Sequence, residues 1–139
     1  MSGPENSGPG YSGKPLADKL GLKPGMIAIV LDAPDNYQEF LLSPIPIDHE
    51  LGAEPPDFVH IFVTERAKMD NYLTDLLGKI KRDGMVWVSW PKKSAKVPTD
   101  IDENVIREVC LPMGWVDVKV CAVTDVWSGL KLVIRKELR

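Results

Sequence analysis

Two lysines, Lys92 and Lys93, follow an apolar segment that ends in Trp90 and Pro91. Lysine ammonium groups bind anions such as phosphate, and an indole ring packs well against the planar groups of a ligand. These residue types at adjacent positions predict an anion-binding site where the apolar segment ends. A solvated basic loop without a ligand explains the same residues, and the sequence alone does not separate the two interpretations.

Two further pairs of residues are candidates for ligand binding. Asp32 and Asp35 follow the first apolar segment and could act as a general base or bind a hydroxyl group. Trp127 and Ser128 precede Gly129 in a predicted turn, in which Gly129 supplies a positive φ. Structural roles explain both pairs as well: the acids end a strand and cap a turn, and the tryptophan packs beside a hairpin. No catalytic residue is assigned, because no nucleophile and base are recognisable among these side chains.

The histidines and cysteines indicate structural roles. His60 lies in the middle of an apolar segment, which is typical of a hydrogen-bonded core histidine. His49 lies between two acids, but one histidine with two acids is a weak ligand set, so a solvated loop is favoured and no metal is predicted. Cys110 and Cys121 both lie in apolar contexts and are predicted to be reduced core thiols.

Length, composition and charge limit the class of protein. The chain has 139 residues, 44% of them hydrophobic, and a net charge of −3, which favours a globular domain over a general nucleic-acid binder. The start lacks the basic and apolar regions of a signal peptide, and no apolar run approaches the ~20 residues that span a bilayer. We therefore expect a cytoplasmic protein that binds no membrane. Residues 1–10 are expected to form a flexible arm before a single domain over residues 11–139.

The candidate residues lie between predicted strands and helices that alternate along the chain. Short apolar runs predict strands over residues 26–31, 58–64, 85–90, 115–123 and 130–135. Periodic or capped segments predict helices over residues 15–20, 37–41, 65–80 and 101–111. Thr99 or Asp100 is expected to cap the last helix, and Pro112 is expected to end it. The prolines of residues 43–56 permit at most a short edge strand.

This alternation predicts an α/β fold. A mostly parallel sheet carries helices on both faces, and the last two strands form an antiparallel hairpin because their connection is too short for a crossover. The predicted architecture is a Rossmann-like three-layer αβα sandwich. Ligands of such sheets bind at the carboxyl ends of the parallel strands. The candidate site is therefore the edge formed by residues 32–37, 64–66, 90–94 and 125–129.

Residues 25–135 resemble the class I S-adenosylmethionine-dependent methyltransferases in layout, in a shortened form. The strand over 58–64, the long helix and the segment RDGMVWVSWPKK are similar to the second half of that family's sheet, as is the terminal antiparallel pair. The family's first strand ends in a cofactor loop of the pattern acidic-x-Gly-x-Gly. Here the loop after Leu31 reads DAPDN without glycine, and the ring of Pro34 occupies space that a cofactor would need. The second strand, whose terminal acid holds the cofactor's ribose, falls in the proline-broken stretch 44–56.

Four segments resemble a family of small uncharacterised bacterial proteins of unknown function. These segments are YSGKPLADKLG, DFVHIFVT, GMVWVSWPKK and VDVKVCAVTDVWSGLKLVIRK. The resemblance covers most of the chain and implies no established activity.

Charge is distributed unevenly along the chain. Residues 26–65 contain eight acids and no lysine or arginine, whereas cations concentrate in residues 66–96 and at the C-terminal end. An acidic and a more basic side favour oriented docking to a partner. The leading hypothesis is a non-catalytic or regulatory domain, without a cofactor, that binds a protein partner or a small anionic ligand at the carboxyl edge. The alternative is a methyltransferase-like enzyme with a degenerate cofactor loop.

Overall fold

The structure is a computed structural model that describes residues 15–41 and 45–139, apart from the side chain of Phe40. The predicted flexible arm over residues 1–10 lies outside this part of the chain. The division into an arm and a domain therefore stays a prediction.

Within residues 15–41 and 45–139, five strands form one sheet in the spatial order β1-β2-β3-β5-β4. β1, β2 and β3 pair in parallel, and β5 runs antiparallel to both of its neighbours, β3 and β4. This arrangement confirms the predicted Rossmann-like fold class with its antiparallel C-terminal pair. The strands are β1 Ala28–Leu31, β2 Phe58–Phe62, β3 Met85–Pro91, β4 Trp115–Ala122 and β5 Trp127–Ile134.

In the part of the chain that the structure describes, four α-helices cover the two faces of the sheet, because strands buried on both sides need apolar layers on each. α1 and α2 contribute to one core cluster and α3 and α4 to the other. The indole N–H of Trp87 in β3 donates to the Leu20 carbonyl at 2.8 Å and ties α1 to the sheet. The helices are α1 Leu16–Leu20, α2 Tyr37–Leu41, α3 Arg66–Leu77 and α4 Glu103–Met113.

The start and end of α4 differ from the prediction. Asp102, rather than Thr99 or Asp100, caps the helix, and its side chain accepts from the Val105 amide at 2.9 Å. Pro112 lies inside the last turn instead of ending the helix. A proline in that turn removes only one helical hydrogen bond, and the chain turns at Gly114, whose φ of +113° suits glycine.

The predicted turn around Trp127 is part of a strand. β5 begins at Trp127, and Ser128 and Gly129 pair with Trp90 and Ser89 of β3. Gly129 is not among the positive-φ glycines, so its predicted backbone role is wrong. Its lack of a side chain serves packing instead, because a Cβ there would lie 3.0 Å from the Val123 side chain and 3.2 Å from the Trp87 ring.

A chain of three polar side chains crosses the core beneath α2. The Tyr37 hydroxyl lies 2.8 Å from Nδ1 of His60, and Nε2 of His60 lies 2.7 Å from the Ser89 hydroxyl. His60 and Ser89 have no exposed surface and Tyr37 has almost none. This geometry confirms the predicted core histidine. Burial lowers the pKa of His60 to about 3, so the ring is neutral in the folded protein.

The cysteines follow the sequence interpretation. Cys110 is buried and Cys121 is half-buried, and neither is in a disulfide. Burial raises the pKa of the Cys110 thiol to about 11 and also raises that of Cys121, so both thiols are protonated at neutral pH.

The described residues contain no cluster of three or more side chains suited to a metal ion, and none of their helices is long and apolar enough to cross a bilayer.

We predict that His60 makes folding sensitive to acid. Its pKa is about 3 in the folded chain and near 6.5 when unfolded, so below pH 6.5 the unfolded state binds the extra proton. The free energy of unfolding should therefore fall by up to about 1.4 kcal/mol per pH unit as the pH drops from 6.5 toward 4. Denaturant titrations across this range measure the slope, and His60→Gln, which keeps hydrogen-bonding groups without titrating, should lose that part of it. Parallel slopes for the two proteins would contradict the prediction.

Candidate functional site

The sheet brings all seven candidate residues to one edge. The carboxyl ends of β1, β2 and β3 lie together because these strands are parallel, and the β4–β5 turn lies at the same edge because β4 runs in their direction. Asp32 and Asp35 follow β1 directly, and Lys92 and Lys93 follow β3. The other three candidates lie in the strand ends at this edge, where Trp90 pairs with Ser128 and Pro91 pairs with Trp127.

The side chain of Asp32 contacts two residues of α3. Its carboxylate lies 2.8 Å from the Lys68 ammonium and accepts a hydrogen bond from the Tyr72 hydroxyl at 2.6 Å. Partial burial raises the pKa of Asp32, but the hydrogen bonds and charge of these two partners outweigh it and leave the pKa lowered. The pKa of Tyr72 rises to about 12, through burial and through its bond to Asp32. A carboxylate stabilised in this way is a weak base, which disfavours the general-base role for Asp32.

The loop after β1 makes its turn without glycine. Asp32 adopts the left-handed region with φ +58°, which aspartate tolerates better than most residues. The carbonyl of Pro34 then accepts from the Tyr37 amide at 3.1 Å and starts α2. Asp35 is exposed on this loop. The ion pair with Lys68 fixes the side chain at the position where the backbone turns.

A cavity of about 390 Å³ lies between this loop and the β4–β5 turn, and we call it the hairpin cavity. Trp127 forms one wall, and its ring meets Phe62 edge-on at 5.1 Å. Asp125 is the one charged residue among those that line the cavity. The lining residues are Pro34, Asn36, Thr124, Asp125, Val126 and Trp127.

A second cavity, of about 570 Å³, lies between the end of β3 and residues 96–102, and we call it the lysine cavity. Trp90, Lys92 and Lys93 line it, as the sequence suggested, together with Lys96 and Asp100. The sequence interpretation did not place the last two in a site. Three lysines within five positions were the available signal, but the fold of residues 96–102 back onto the strand ends is not encoded in a local pattern.

Hydrogen bonds to residues that follow β2 hold the outer wall of the lysine cavity. The Thr99 hydroxyl donates to the Thr64 carbonyl at 2.7 Å, and the Asp100 carboxylate accepts from the Arg66 amide at 2.7 Å. On the opposite side, the Lys92 amide donates to the Val126 carbonyl at 2.8 Å. Because Val126 also lines the hairpin cavity, the two cavities adjoin across this bond.

Within its described residues 45–56, the proline-rich segment forms one bridge to β1. Asp48 exchanges two backbone hydrogen bonds with β1, to the Val30 amide at 2.8 Å and from its own amide to the Ala28 carbonyl at 3.0 Å. His49 Nδ1 lies 3.2 Å from the Val30 carbonyl, and Glu50 follows as an exposed acid. Among residues 45–56, the predicted short edge strand is therefore reduced to one bridge, which lies opposite Ile29 of β1.

No family model and no curated protein matches this chain. The resemblance to a family of small bacterial proteins therefore stays a prediction.

Solved structures do match this chain in fold. A protein from Sulfolobus solfataricus, provisionally classed as a type 11 methyltransferase, is similar with a TM-score of 0.62 and 15% identity, over 87% of this chain and 90% of its own.

Two further similar structures are of larger proteins. LepI in complex with SAM has a TM-score of 0.56 and 10% identity over 86% of this chain, and a structure described as a pericyclic reaction enzyme has the same values. This chain covers 39% of the length of each of these two proteins. The chain therefore has a methyltransferase-like fold, and at these identities the similarity shows the fold alone.

We predict that the left-handed turn at Asp32 penalises alanine more than glycine. Both Asp32→Ala and Asp32→Gly lose the contacts with Lys68 and Tyr72, so the two variants differ only in the backbone. Alanine is strained at φ +58°, and after the greater flexibility of unfolded glycine is subtracted, Asp32→Gly should be the more stable by about 0.5–1 kcal/mol. Denaturant unfolding measures the difference. A more stable alanine variant would show that the turn is not left-handed.

Proposed function

We propose that this chain is a reduced methyltransferase-like domain that binds an S-adenosyl compound in the hairpin cavity. The observation that carries the proposal is the cavity beside the turn after β1, in a fold whose solved neighbours include a methyltransferase-class protein and a SAM complex. The comparisons fit the enzyme alternative better than the non-catalytic hypothesis. Asp32 supports this view, because it stands directly after β1, at the acidic position of the loop pattern that the resembled family carries.

The chemistry of the hairpin cavity suits a cationic nucleoside ligand. Its volume of about 390 Å³ falls within the usual range of small-molecule pockets, roughly 300–1,000 Å³. Asp125, unopposed by a cation in the cavity lining, would attract the positive sulfonium and ammonium groups of S-adenosylmethionine. The indole of Trp127 offers a surface on which an adenine ring can stack.

The bridge at Asp48 also supports the proposal of S-adenosyl binding. In the methyltransferases that this chain resembles, the acid at the end of the second strand holds the cofactor's ribose. Here Asp48 bridges to Ile29 beside β1, and the exposed Glu50 follows it in the chain. By analogy with that acid, Glu50 is the candidate acceptor for the ribose hydroxyls. The proposal concerns binding, because no described side chain near the cavity forms a nucleophile–base pair that would assign a reaction.

The second candidate function is a non-catalytic domain that docks on a protein partner. It rests on Pro34, which stands in the loop where the resembled family has glycine and offers no amide to a ligand. The acidic stretch from residue 26 to residue 65 would orient such docking. A ligand screen separates the two candidates, because only the first requires S-adenosyl compounds to stabilise the chain.

We predict that S-adenosylmethionine raises the melting temperature of the purified protein. A ligand at a hundred times its dissociation constant adds about 2.7 kcal/mol of stability, which a thermal-shift assay resolves.

Asp125→Asn should weaken S-adenosylmethionine binding about two- to fivefold, as measured by calorimetry, because it removes one exposed opposite charge. The effect on S-adenosylhomocysteine should be smaller, since its sulfur is uncharged.

The matched control is Asp83→Asn, which removes an exposed carboxylate before β3 at the opposite edge of the sheet. This variant should bind both compounds like the unaltered chain. If neither compound stabilises the protein at millimolar concentration, the proposal is wrong and the partner-docking function becomes the leading one.

A further inference from the structure

The lysines of the lysine cavity form no ion pair within the described part of the chain, in contrast to the lysines of α3 and its C-terminal turn. Lys68, Lys79 and Lys81 each pair with an aspartate within 3.0 Å. By contrast, none of the ion pairs among the described residues involves Lys92, Lys93 or Lys96. Three like charges within five positions repel one another, and a bound anion would relieve that repulsion.

The two carboxylates that line the same cavity are engaged by backbone amides. Asp100 accepts from the Arg66 amide at 2.7 Å, and Asp102 accepts from the Val105 amide at the start of α4. These bonds hold the carboxylates at the outer wall instead of pairing them with the lysines. The cavity therefore has three unpaired cations against two acids that already have donors.

The wall of the cavity is apolar and fixed in place. Trp90 and Ile101 line it with 7% and 5% of their surface exposed, so only an edge of each side chain faces the cavity. Lys92 is anchored through its backbone to Val126, whereas the side chains of Lys93 and Lys96 are on the exposed rim. A rigid apolar wall beneath flexible cations suits a ligand with an apolar body and an anionic end.

We infer that the lysine cavity binds a small molecule that carries a phosphate group. The phosphate lies among the ammonium groups of Lys92, Lys93 and Lys96, and the organic part of the molecule packs against Trp90. Phosphate is favoured because a compact, highly charged group satisfies several lysines at once. This inference does not rest on S-adenosyl binding, which uses the other cavity and the opposite charge. Because the cavities adjoin, both ligands can be held side by side.

The test uses calorimetry with the full chain and two probes, inorganic phosphate and phenyl phosphate. Phenyl phosphate should bind more tightly than inorganic phosphate, because its ring also contacts the Trp90 wall. The double variant Lys92→Ala/Lys93→Ala should weaken phenyl phosphate binding at least about tenfold. The matched control is Lys23→Ala/Lys136→Ala, which removes two exposed lysines from the opposite edge of the sheet and should bind within about twofold of the unaltered chain.

Three results would overturn the inference. The first is no binding of either probe at millimolar concentration. The second is an equal loss in both double variants, which would mean a general charge effect. The third is unchanged binding in Lys92→Ala/Lys93→Ala. Circular dichroism checks that both variants are folded. Because phenyl phosphate is titrated in the absence of any S-adenosyl compound, failure of the S-adenosyl proposal is distinguishable from failure of this one.

Discussion

Burial of β2 and β3 on both faces is the constraint on which the rest of the structure depends. Every residue of β2 is buried, so polar groups there must find partners inside the protein. His60 meets this requirement through Ser89 in β3 and Tyr37 in α2. The same interaction that satisfies the core histidine therefore anchors the helix that follows the β1 loop. The charged candidate residues and both cavities therefore lie at the ends of the strands.

The predictable part of the fold is the part with strong local patterns. Buried runs such as that of β2, and the apolar stripe of α3, predict their elements to within a few residues. The candidate Asp32 is predictable as a strand-end acid, but its ion pair with Lys68 and its hydrogen bond from Tyr72 join segments far apart in sequence. The wall formed by residues 96–102 is likewise set by contacts with the end of β2. A linear pattern does not encode such contacts, so the sequence locates the edge but not its two cavities.

The loop after β1 differs from the methyltransferase cofactor loop in its backbone turn and in the space that it leaves. Glycine leaves space for a cofactor after the first strand, whereas here Pro34 stands in the loop and the left-handed turn falls on Asp32. The ion pair with Lys68 and the hydrogen bond from Tyr72 hold the Asp32 side chain at this turn. The hairpin cavity opens between Pro34 and the β4–β5 turn, beside Asp125 and Trp127.

The two cavities differ in charge although they share one edge. Asp125 is the charged residue of the hairpin cavity, whereas three lysines line the other, and the Lys92–Val126 hydrogen bond marks the boundary between them. Opposite charges on adjoining cavities select ligands of opposite charge, since a ligand suited to one is repelled by the other. A cationic S-adenosyl compound and a phosphate ester placed side by side would also attract each other. The hairpin of β4 and β5 therefore contributes the boundary between the two cavities, through Val126.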